Sequence, residues 1–193
     1  MSVLVDRFLN DALFDLRKEF AFACADRAVR RYAVDALRAA GFEEMAGCLQ
    51  RAPVTDGDTA RRSGRLAADT SRFVDDTDSS ARTRLAADAT RSASEASLNA
   101  LHACTYVDSA SPNPTYAYAY INAVAINTVA AASNAAAVSH NTARAIDRAA
   151  ATERKAQDEW IRAHWAGASP ITAATLAAVD AYIADGLLLG DDE

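Results

Sequence analysis

Residues 115–138 read TYAYAYINAVAINTVAAASNAAAV, and the fold turns on how this stretch is read. At its start Tyr116, Tyr118 and Tyr120 alternate with alanine, which is the period of a half-buried β-strand. The period does not last. From Ile121 onward the run continues without a glycine, a proline or a turn cluster, and at 24 residues it is far longer than a strand of about 4–8 residues. Alanine dominates it, and alanine is the best helix former because its side chain loses no rotamer freedom and competes for no backbone hydrogen bond. The stretch therefore predicts a helix from 114 to about 138. Pro114 suits its first turn, where the missing N–H is not needed, and the segment DSASPNPT at 108–115 reads as the loop before it.

The same composition extends outward in both directions. Of 193 residues 48 are alanine, while only 7 glycines and 4 prolines are available to interrupt helices. Apolar residues recur at helical intervals over 3–40 as Val5, Phe8, Leu9, Leu13, Leu16, Phe20, Cys24 and Ala28, predicting one long helix or two collinear ones that stop at Gly41. A short helix follows at 42–50. Thr55 and Asp58 read as a capping box before a helix over 58–74, and DDTDSS at 75–80 reads as its end and the next N-cap. Further helices are predicted to about 105, over 141–166, and from Ser169–Pro170 to about 185. The octets RLAADTSR at 65–72 and RLAADATR at 84–91 are an internal echo that suggests a helical-hairpin duplication.

These elements give an all-α fold, an antiparallel multi-helix bundle or short α-solenoid of about seven helices, in a single domain spanning 1–193 with 187–193 as a flexible acidic tail. Alanine on facing stripes allows axes to approach to the short end of the usual 8–10 Å range. The large anchors expected in the core are Phe8, Phe14, Phe20, Phe22, Tyr32, Leu37, Phe73, Leu98, Ile121, Ile126 and Trp160.

Function classes narrow by exclusion. The net charge of −6 disfavours nonspecific nucleic-acid binding, which needs surplus cations on one face. Cys24, Cys48 and Cys104 are odd in number, widely spaced and without a CxxC pair, so they read as free, buried thiols of a cytoplasmic protein. The first residues, MSVLVDRFLNDALFDL, lack a basic leader, and no apolar run is expected to reach the 18–20 residues of a membrane span. A di-iron site in a helical bundle would place an acid three residues before a histidine, but Asn99, Ala137 and Ile161 hold those places. His102, His140 and His164 are each isolated, no phosphate loop or nucleophile elbow occurs, and no cofactor or metal is expected.

Three stretches carry a family resemblance: FAFACADRAV at 20–29, the helices opening at RLAADTSR, and ERKAQDEWIRAHW at 153–165, with Glu153, Arg154, Gln157, Trp160 and Ile161. Together they resemble the helical immunity proteins of bacterial polymorphic toxin systems, the fifth family of that series, across roughly 20–165. The resemblance implies a protein that binds and blocks a cognate toxin and catalyses nothing. An acidic protein can oppose a basic nuclease by presenting carboxylates where the substrate's phosphates would sit. The candidates are Asp56, Asp58, Asp75, Asp76 and Asp78, read as lying in the loops that flank one helix; ordinary caps and solvated turns are the plainer alternative. Tyr116, Tyr118 and Tyr120 are candidate partner contacts, with 116 and 120 on one face and 118 on another. Self-assembly into a homo-oligomeric scaffold is the second functional reading, and a helical enzyme built from scattered residues the third.

Overall fold

The computed structural model describes residues 2–107, 114–140 and 142–165; the predicted last helix from Ser169 and the tail at 187–193 lie outside the described residues. Helices are the only regular structure among the described residues. In chain order they are α1 (Val3–Asp11), α2 (Phe14–Arg27), a π-helical segment (Ala28–Ala33), α3 (Val34–Ala40), α4 (Glu43–Gln50), α5 (Gly57–Thr77), α6 (Ala81–Val107), α7 (Pro114–His140) and α8 (Ala143–Trp165). Since α2, the π segment and α3 run on without a break, these form seven rods in an all-α bundle.

The first predicted helix is two helices. Ala12 and Leu13 are both extended (ψ 157° and 148°), which breaks the rod between α1 and α2 and leaves Leu13 76% exposed. Arg17 spans the break: its Nε donates to the Ala12 carbonyl (2.7 Å) and its Nη2 to that of Asn10 (2.9 Å). It thereby serves carbonyls that the end of α1 leaves without partners. Gly41 does stop the second rod, with φ at 91° and the Phe42 amide reaching back to the Leu37 carbonyl.

The helices from α5 to α8 pack as successive neighbours, and the rod from α2 to α3 lies across α6 and α7. The α5–α6 pair is antiparallel and in a fixed register. Gly57 lies against Leu101, Ser94 Oγ donates to the Gly64 carbonyl (2.8 Å), and Ser71 Oγ donates to the Ala87 carbonyl (2.8 Å). Each step of seven residues along α5 is thus matched by seven in reverse along α6. Small buried residues at alternating steps of four and three (Ala60, Gly64, Ala67, Ser71, Val74 against Thr83, Ala87, Thr90, Ser94, Ser97) form the seam. That spacing is the seam of a coiled coil, here built from residues small enough for backbones to touch. A Cβ added at Gly64 would lie 3.2 Å from the side chains of Ser97 and Leu98. The two octets lie on this hairpin, and their equivalents Ala67 and Ala86, Thr70 and Ala89, Ser71 and Thr90 are all buried.

Large apolar anchors are concentrated elsewhere. Phe8 of α1 and Phe20 of α2 meet ring to ring at 5.2 Å, with Trp160 and Trp165 of α8 at 6.2 and 5.7 Å from Phe8. Three of the expected anchors are displaced from the core: Phe73 is 53% exposed, Ile126 54% and Phe14 36%. On α5 the buried stripe is filled mainly by small residues and Phe73 faces outward, while α2 and α7 turn Phe20 and Ile121 inward in place of Phe14 and Ile126, so helical periodicity alone did not fix which face turns inward.

Residues Thr115–His140 of α7 form a helix containing an 18-residue window of mean hydropathy 1.3, long and apolar enough by length and composition to cross a membrane. The expectation that no run reaches that length is therefore corrected. In this fold α7 is packed by α6, α8 and the α2–α3 rod, and half of the apolar window is buried.

Candidate functional site

The five candidate carboxylates do not form one cluster. Asp56 and Asp58 stand at the start of α5, while Asp75, Asp76 and Asp78 stand at its end. With 21 residues at about 1.5 Å each, the two groups are roughly 30 Å apart. Nor are all of them in loops, because α5 continues through Thr77 and carries Asp58, Asp75 and Asp76 within it. The capping box also lies one residue later than predicted: Asp56 accepts from the Thr59 amide (2.8 Å), and the Thr59 hydroxyl accepts from the Asp56 amide (2.9 Å). Hydrogen bonds to the Asp56 carboxyl, from the Thr59 amide first and then from the Thr59 hydroxyl, hold it below its ordinary pKa. Hydrogen bonds from Ser80 do the same for Asp78. Asp75 pairs with Arg91 at 3.5 Å and Asp58 with Arg61 at 3.7 Å.

Two of the three candidate tyrosines do come together, with partners the sequence had not suggested. Tyr106 of α6 stacks on both Tyr116 (5.3 Å between centroids) and Tyr120 (5.4 Å) of α7, and His102 lies 5.1 Å from Tyr120. Residues four apart on each helix face their counterparts across the pair, giving a ladder of four rings, and Tyr116 is 54% exposed. Tyr118 points elsewhere, as its position predicts, and its hydroxyl reaches Asp6 of α1 at 3.2 Å. Since Gly57 lies against Leu101 and Cys104, the start of α5 with Asp56 and Asp58 is at the ladder's end of the bundle. Asp75, Asp76 and Asp78 are at the other end.

A second constellation is buried. Glu153 of α8 has no exposed surface and is held from three elements. Arg27 of α2 donates to both of its oxygens (Nη2 to Oε1 2.8 Å, Nε to Oε2 3.1 Å), Tyr32 of the π segment donates its hydroxyl (2.6 Å), and Gln157 donates its amide (3.1 Å). The same Gln157 nitrogen also donates to the Ala125 carbonyl of α7. A buried carboxylate requires such company, since an unpaired one would cost several kcal/mol of lost hydration. The π segment makes the arrangement possible. Residues five apart on an α-helix point about 140° away from each other. A wider π turn brings Arg27 and Tyr32 onto the same carboxylate.

No family model, curated protein or solved structure matches this chain. Its site must be read from its own geometry.

Burial pushes the Cys24 thiol up to about 12, with nearby Glu153 acting in the same direction. Burial and then the hydrogen bond to Glu153 raise Tyr32 as well. Burial alone would lower Arg27, but the attraction of Cys24 and Glu153 outweighs it, and the guanidinium is raised. The pH consequence has a definite sign. Cys24 and Tyr32 lose their protons more readily in the unfolded chain, so the stability Cys24 lends is complete below the ordinary thiol pKa of 9.0 and is lost as pH rises from there toward about 12, and that of Tyr32 is lost as pH rises above the ordinary phenol value of 10.0. Urea unfolding followed from pH 8 to 11 is expected to show a steepening fall, of up to ~1.4 kcal/mol per pH unit for each group. Cys24→Ala and Tyr32→Phe should each flatten it; unchanged slopes in both would mean these groups are not buried as described.

Beside this hub lies a cavity of about 340 Å³ between the π segment and the turn from α7 to α8, lined by Arg31, Tyr32, Asp35, His140, Arg148 and Thr152 over a floor of alanines. Among the described residues no group of three His, Cys, Asp or Glu side chains converges as metal ligands would. Of the three cysteines, Cys24 is buried, while Cys48 and Cys104 are only half-buried.

Proposed function

We propose that this chain is a noncatalytic protein-binding module of the immunity type, and that it engages its partner through the ring ladder His102, Tyr106, Tyr116 and Tyr120. The ladder carries this reading. Stacked rings are already fixed before a partner arrives, so little side-chain entropy is lost on binding, and tyrosine is enriched among the residues that dominate interface energies. The exposed Asp58 at the same end of the bundle, in a chain of net charge −6, favours a basic partner and speeds its approach. A cognate toxin is such a partner, in keeping with the resemblance of residues 20–29 and 153–165 to immunity proteins. In this reading the protein acts in the cytoplasm.

The self-assembling alternative drew on the small-residue seams and on the tyrosines; the seam residues Ala86, Ala87, Ala89, Ala93, Ala96, Ala100 and Ala103 of α6 are buried within the chain, and the tyrosines would serve a second copy as well as a toxin. The test is affinity capture of the tagged chain from its native cells, with mass spectrometry of what is retained. Stoichiometric recovery of a toxin domain is expected, together with rescue of cells that express the toxin. Tyr116→Ala combined with Tyr120→Ala should weaken capture at least about tenfold without unfolding the bundle. Recovery of the chain alone, or equal capture by the double variant, would overturn the reading.

A further inference from the structure

The cavity at the opposite end of the bundle from the ladder is unexplained by partner binding. We propose that it binds a small phosphate monoester, with Arg31 and Arg148 holding the phosphate and the alanine floor receiving the organic body.

The two arginines come from different elements, the π segment and α8, and line one cavity. Most cations of this chain that approach a carboxylate do so on their own helix or across a helix pair, as Arg27, Arg30, Arg61, Arg72 and Arg91 do. Arg31 and Arg148, like other exposed arginines such as Arg62 and Arg65, form no ion pair within 4.0 Å among the described residues. Arg31 is nevertheless placed: its guanidinium lies 5.4 Å from the centroid of the Tyr32 ring, and Tyr32 is itself tied to Glu153 by a 2.6 Å hydrogen bond. The buried hub therefore orients one wall of the cavity before any ligand enters.

The chemistry of the donors selects the anion. Each guanidinium carries five N–H donors in a planar fork, and His140 adds an imidazole on the rim. A carboxylate has only two oxygens to share among them, whereas a phosphate monoester presents three oxygens and up to two charges. Asp35, the one carboxylate in the lining, stands four residues after Arg31 on the same rod, so the phosphate is held from the Arg148 side of Arg31 and Asp35 accepts from a ligand hydroxyl or amine. Alanine side chains end at Cβ and leave a smooth apolar floor, suited to a ring. A volume of about 340 Å³ lies at the small end of ligand cavities, which span about 300–1,000 Å³, and it suits a body the size of an aryl group or a nucleoside.

The full chain is titrated with phenyl phosphate at low salt by calorimetry, with amide NMR shifts used to locate the ligand. Saturable one-to-one binding below about 10 mM is expected. Arg31→Ala and Arg148→Ala should each weaken it at least about tenfold, while Arg144→Ala, an exposed change that does not line the cavity, should leave it unaltered. Phenol should not bind, and benzoate should bind at least about fivefold more weakly than phenyl phosphate. Far-UV circular dichroism verifies that the variants fold. The proposal is overturned by no saturation at 10 mM, by equal losses in all three variants, by shifts that map away from Arg31 and Arg148, or by benzoate binding as well as phenyl phosphate.

Discussion

Replacing Glu153 by alanine is expected to destabilise the protein by about 3–5 kcal/mol, more than any other change to a charged residue. The carboxylate is fully buried, and its removal strands three donors at once: the Arg27 guanidinium, whose side chain is only 21% exposed, the Tyr32 hydroxyl and the Gln157 amide. Most of the loss comes from these abandoned partners and little from the missing attraction itself. Two companion variants separate the contributions. Glu153→Gln keeps an acceptor oxygen in place and should cost less than the alanine. Glu153→Leu combined with Arg27→Met removes both charges and should be milder than Glu153→Ala alone, because no uncompensated cation remains in the interior. Urea unfolding at pH 7 measures all three. A loss below about 1 kcal/mol for the alanine variant would mean that the hub is open to water.

Phe8→Ala is expected to cost a similar amount, about 3–5 kcal/mol, for an unrelated reason. The Phe8 ring is fully buried among Phe20, Trp160 and Trp165, and the cavity left by its removal would be walled by rings that cannot all collapse into it. Helix α1 has only nine residues, too few to persist without its anchor, so its amides should lose protection against hydrogen exchange before the rest of the bundle opens. The chain supplies its own reporter. Its two tryptophans both lie in this cluster, so intrinsic fluorescence should shift toward longer wavelength. Unchanged fluorescence together with a loss below 1.5 kcal/mol would show that α1 docks by other contacts.

Much of this fold was legible in the sequence because its evidence is local. Alanine content announces helices wherever it occurs, Gly41 ends a rod through its own backbone, and Pro114 opens one through its own missing amide. What escaped was whatever depends on distant residues. In ERKAQDEWIR, Glu153 looks like one more solvated acid; its burial is set by Arg27 and Tyr32, more than 120 residues away in the chain. AVRRYA at 28–33 has the composition of an ordinary helix, and nothing in it signals the wide turn. The run DDTD looked like a break because acids often cap, yet α5 carries through it to Thr77. For the ladder, Tyr116 and Tyr120 could be assigned one face from spacing alone. Their stacking on Tyr106 could not, since it depends on the register of α6 against α7.

Helix α6 has a practical consequence for how this protein is studied. Its buried face holds eleven residues, seven alanines, two threonines and two serines, none longer than threonine. A survey that trims each side chain to alanine and looks for damage would pass over most of that face, because there is nothing there to remove. The helix with the most crowded surroundings would be scored as dispensable. Its importance becomes visible only when bulk is added, one position at a time, and the resulting map would be the inverse of the usual one, with the smallest native residues marking the least tolerant sites.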